Sequence, residues 1–75
     1  MMSTEERLVY MANQIAREFA HVDDPAAATA DHIAKFWDPR MRSRILAGDP
    51  RQLGLSDTAT GAFHLLRERA NAKAG

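Results

Sequence analysis

From Leu8 onward the apolar residues return every three or four positions, as Leu8, Met11, Ala12, Ile15, Ala16 and Phe19, with charged and amide side chains between them. That period is helical, and it predicts a first helix from Thr4 with a single apolar stripe about five turns long. Ser3-Thr4-Glu5-Glu6 fits a capping box, in which Ser3 reaches forward to the Glu6 N–H, Glu6 reaches back, and two acids meet the positive end of the helix dipole. His21 is expected in the last turn, where a proton would be favoured. Asn13 and Gln14 sit beside the stripe as polar interruptions, either solvated or turned toward the backbone of a partner.

Three Asp-Pro pairs then punctuate the chain, at Asp24-Pro25, Asp38-Pro39 and Asp49-Pro50. An aspartate caps free N–H groups, and proline at the first helical position lacks a donor where none is needed, so the first two pairs read as helix starts and Asp49-Pro50 as a further cap and turn. The second helix is expected from Pro25 through Ala26, Ala27 and Ala28, with Ala30, Ile33 and either Phe36 or Trp37 buried and Asp31 paired to Lys35. Proline also disfavours helix at the residue before it, so this helix should stop near Trp37 or Asp38 and the chain should turn a corner. A short third helix follows from Pro39 to Ala47, with Met41 and Ile45 on one side and Gly48 as a left-handed terminator. Arg51 to Gly54 is too short for more than one turn and is read as loop. Ser56 caps a final helix from Asp57 to about Ala72, with Ala59, Ala62, Phe63, Leu66 and Ala70 in three-four spacing, and Asn71 to Gly75 is expected to fray. Gly61 weakens that helix by about 1 kcal/mol relative to Ala. The pattern is all-α: one domain over residues 1–75, a small bundle of three to four short helices with an Asp-Pro corner between helices two and three.

Composition narrows what such a bundle can do. A chain of 75 residues has a thin core, and one without cysteine has no disulfide, no thiolate metal site and no Cys nucleophile. Ten basic and ten acidic residues cancel, which argues against nucleic acid and anionic lipid as partners. There is no basic N-terminal region followed by an apolar run, and no stretch of the roughly 20 apolar residues a membrane helix needs. A soluble, cytoplasmic protein is expected. His21, His32 and His64 lack metal-ligand spacing, and Asp31 and His32, adjacent on a helix, diverge by about 100° and cannot form a catalytic pair. With no phosphate loop or nucleophile motif, an enzyme is not expected. The rival reading is a small free helical DNA-binding regulator that uses Arg40, Arg42 and Arg44; an Asp-Pro corner and a helix poor in base-reading amides speak against it.

The most informative stretch is Ala30 to Arg42, which holds the only Trp. Phe36 and Trp37 cannot both point inward from a helix end, so one fills the core while the other, near Arg40 and Arg42, has the composition of a protein-protein anchor. Leu8-Val9-Tyr10-Met11-Ala12-Asn13-Gln14-Ile15-Ala16, then Ala30-Asp31-His32-Ile33-Ala34-Lys35-Phe36-Trp37-Asp38-Pro39-Arg40-Met41-Arg42, and later Gly54-Leu55-Ser56, together resemble the delta subunit of the NAD-dependent formate dehydrogenases. The resemblance covers about the first two thirds of the chain; Tyr10 stands where that pattern leads one to expect a basic residue. It implies a noncatalytic accessory subunit that binds the catalytic subunit and stabilises it or helps it mature, within a complex that also contains a diaphorase subunit. It further implies that the molybdenum or tungsten pterin, iron-sulfur clusters, flavin and NAD belong to the larger subunits, with no cofactor on this chain. Carried over by position, Asn13, Gln14, His32, Trp37, Asp38, Arg40 and Arg42 are the expected partner contacts. Self-association of the isolated chain through the uncovered surface is a further expectation.

Overall fold

The computed structural model describes residues 3–74, with side chains through residue 72. Among the described residues there are five helices and no strand: α1 (Thr4–Glu18), α2 (Pro25–Phe36), α3 (Pro39–Leu46), α4 (Pro50–Leu53) and α5 (Asp57–Ala74). The expected count of three to four becomes five because the segment read as loop closes one helical turn. The Asp49 carboxylate accepts from the Arg51 N–H at 3.0 Å, the Leu53 N–H donates to the Asp49 carbonyl at 3.0 Å, and Gly54 ends the turn at φ 85°. Gly54, not Gly48, is thus the left-handed terminator. Helix α3 closes on Ala47 in a right-handed conformation, and a side chain at Gly48 would place its Cβ 2.8 Å from Leu53 Cδ1. Gly48 makes room for Leu53.

Every Asp-Pro pair starts a helix. Asp24, Asp38 and Asp49 are the N-caps of α2, α3 and α4, each followed by proline in the first turn, and Ser3 caps α1 by accepting from the Glu6 N–H at 3.1 Å. Ser56 accepts from the Ala59 N–H at 3.2 Å at the head of α5. Two ends depart from expectation. Helix α1 stops at Glu18, because Ala20 donates to Arg17 in a tighter turn and Val22 to Phe19, which leaves His21 exposed beyond the helix. Helix α5 runs past its expected end at about Ala72 to Ala74, and Gly75 lies outside the described residues.

The centre of the molecule is the crossing of α2 and α5, its most extensive helix pair. Thr29, Ala30 and Ile33 from α2 and Ala59, Ala62 and Phe63 from α5 are sealed there. Small residues set this approach: a Cβ added at Gly61 would lie 3.2 Å from Ala26 Cβ, so the glycine that weakens α5 in isolation is where α2 passes over it. Trp37 leaves the end of α2 and packs on Phe63, ring centroids 6.1 Å apart. Helix α1 covers this pair with Leu8, Val9, Ala12 and Ala16, while α3 contributes Ile45.

The buried face of α1 is turned by roughly 45° from the predicted stripe, measured from helical geometry. Val9 is buried and Met11 is 41% exposed, because α1 must meet α2, α3, α4 and α5 rather than a single neighbour. The expected Asp31–Lys35 pair is replaced by one across the seam, Arg69 Nη1 to Asp31 Oδ1 at 3.0 Å. Ala70, placed on the apolar face of α5 by spacing, is exposed because that helix outruns the bundle.

Candidate functional site

The α2–α3 corner divides its two rings. Helix α2 ends at Phe36, and Trp37 turns to an extended backbone, φ −90° and ψ 138°, before Asp38 caps α3 through the Met41 N–H at 3.0 Å. That change of conformation sends the indole into the core, where it is 5% exposed, and leaves the Phe36 ring outside at 68%. Of the two rings that the sequence leaves open, Trp37 is the one that fills the core and Phe36 the one that stays exposed, so Trp37, expected among the partner contacts, is buried.

Phe36 does not stand alone. Among the described residues, the large apolar side chains that remain exposed are Tyr10 at 58%, Met11 at 41% and Phe36, and all three line one groove between α1 and the corner. Its floor is Ile15, Trp37 and Met41, and its rim carries Gln14, Glu18 and His32. The His32 ring lies between two phenylalanines, its centroid 4.6 Å from that of Phe36 and 5.9 Å from that of Phe19. Contiguous exposed apolar surface of this kind marks interaction sites.

The expected contact residues separate into four groups. Gln14 and His32 line the groove, with Trp37 beneath them. Asn13 is occupied within the chain: its Nδ2 donates to the Gly54 carbonyl at 3.1 Å and its Oδ1 accepts from the Ser56 N–H at 2.8 Å. The Asn13 and Gly54-Leu55-Ser56 motifs, 41 to 43 residues apart, are thus one clip that fixes the head of α5 on α1. Asp38 and Arg42 hold the corner, Asp38 by capping and Arg42 by donating from Nη1 to the Ala34 carbonyl near the end of α2 at 2.9 Å. Arg40 is exposed outside the groove.

Sequence reasoning missed Tyr10, Met11 and Phe36 as a cluster. Tyr10 carried the available signal, since an aromatic residue roughly 160° from Ala12 around α1 has no place in the apolar stripe. It missed Arg67 as well, whose Nη2 donates to the Leu46 carbonyl at 2.6 Å and ties the end of α3 to α5. The three arginines of α3 do not make a strip for a phosphate backbone. Arg42 is bound to α2 and Arg44 lies 3.8 Å from Glu5 of α1, and nothing favours the DNA-binding reading.

The model of the NADH-dependent formate dehydrogenase delta subunit matches residues 7–62. The chain belongs to this delta-subunit family. No curated protein and no solved structure matches it. The family segment contains every residue that lines the groove, together with both halves of the Asn13 clip. It ends within α5, one residue before the buried Phe63. Among the described residues no group of three or more His, Cys, Asp or Glu could hold a metal ion, and no helix is long and apolar enough to cross a membrane.

Proposed function

We propose that this chain is a noncatalytic accessory subunit of an NADH-dependent formate dehydrogenase, acting in the cytoplasm, and that it binds the catalytic subunit and stabilises it or helps it mature. The observation that carries the reading is the gathering of Tyr10, Met11 and Phe36 in one groove inside the family segment. In a core this thin, leaving three large apolar side chains partly in water forgoes a share, roughly half, of the about 1.5–3 kcal/mol that full burial of each would contribute. A partner surface recovers that burial. On this reading the pterin metal, iron-sulfur clusters, flavin and NAD are held by the larger subunits, the catalytic and diaphorase chains. This chain contributes contacts alone.

The test is copurification with a tagged catalytic subunit, sampled before and after cofactor insertion. The wild-type chain is expected to be retained, and the Tyr10→Ser/Phe36→Ser double variant to be retained about tenfold less or worse, as for paired aromatic hot spots. Failure of the wild-type chain to associate at either stage overturns the reading. Full retention of the double variant removes this groove as the docking site.

A further inference from the structure

A second groove lies on the other side of the α2–α3 corner, between it and α5. On α2, Ala34 faces it, roughly 180° around the helix from His32 and Phe36. On α3, Pro39, Arg42, Ser43 and Leu46 face it, centred roughly 150° from Met41, which faces the first groove. Leu66, Arg69 and Ala70 of α5 form the far wall. The corner is therefore a partition with a trough on each side.

The two troughs differ in charge. Among the described residues, the first has Glu18 as its one acidic or basic lining residue apart from His32, and the second has Arg42 and Arg69 and no carboxylate in its lining. Arg42 is half-buried with one Nη donating to the Ala34 carbonyl, an arrangement that aims its remaining donors while it covers apolar surface with its stem. Arg69 holds Asp31 only through an exposed pair, which a competing carboxylate can replace at little cost. A net charge of zero hides this asymmetry.

We propose that the second groove receives a segment of a partner polypeptide that presents an acidic side chain beside apolar ones, the carboxylate meeting the Arg42 and Arg69 guanidinium groups and the apolar side chains resting on Leu46 and Leu66. This rests on the accessory-subunit reading and adds to it that the chain grips its partner on both sides of the corner. Bidentate guanidinium-carboxylate geometry would fix the register of that segment, while the apolar floor supplies contact area.

The experiment measures affinity of the full chain for the tagged catalytic subunit, with light scattering of the chain alone. Arg69→Glu reverses the charge of an exposed side chain, Ala70→Trp fills the groove from an exposed position, and Arg51→Glu on α4 controls for net charge. Arg69→Glu and Ala70→Trp are each expected to weaken binding by about tenfold and Arg51→Glu to leave it unchanged. Wild-type binding with both groove variants equal to it overturns the second groove alone and leaves the accessory reading standing. No wild-type binding at all overturns both. If the chain alone forms dimers that Arg69→Glu dissolves, the occupant is a second copy and the acidic partner segment is ruled out.

Discussion

The seam between α2 and α5 and the groove between α1 and the α2–α3 corner both hold large apolar side chains and reach opposite states. In the seam, Ala26, Ala30, Ala59, Gly61 and Ala62 bring two helices close enough that Ile33 and Phe63 are closed off from water. In the groove, Tyr10, Met11 and Phe36 stand where no further helix of this chain arrives. The difference lies not in hydrophobicity but in what stands opposite. Small residues on a facing helix let a large side chain be covered by its own chain; without them it stays available to another.

The sharpest contrast is between neighbours. Trp37→Ala takes an indole out of the seam side of the corner, where it meets Phe63, and should lower stability by about 3–5 kcal/mol, enough to leave a domain this small largely unfolded by circular dichroism. A normal melting curve for this variant would mean that the two regions do not differ as described. Thr29→Val probes the seam in the other direction. The Thr29 hydroxyl is fully buried and has no hydrogen-bond partner among the described residues, so the isosteric apolar side chain should raise stability by about 1 kcal/mol, read from the denaturant midpoint. A loss instead of a gain would show that the hydroxyl is satisfied in solution. Phe36→Ser is the mildest for folding: one residue from Trp37, it should shift stability by no more than about 0.5 kcal/mol, because its ring is already in water apart from contact with His32. A large loss there would turn the groove into a second core.

Much of the framework is legible locally. Capping is a matter of a few adjacent residues, so Ser3, Asp24, Asp38 and Ser56 announce their helices before any tertiary contact is known. One turn, Pro50–Leu53, escaped because its closure needs the whole Asp49 to Gly54 arrangement, which periodicity over so short a span does not reveal. The site was less legible. Asn13 looks like a contact residue in the sequence because an amide beside an apolar stripe has no local partner; its partners, Gly54 and Ser56, lie more than 40 residues away. Arg42 and Arg67 likewise look like free charge until the carbonyls of Ala34 and Leu46 are placed beside them.

By itself, then, the sequence determined the helical class, four of the five helix starts, the resemblance to the delta-subunit family and the presence of an aromatic pair at the Asp-Pro corner. Tertiary structure decided which ring of that pair is sheltered, which face of α1 is buried, and which polar side chains are consumed in holding the chain together. The reason is one of range. Caps and prolines act within a single turn, whereas the direction of Trp37 depends on Phe63, and the exposure of Phe36 on the place where α1 comes to rest.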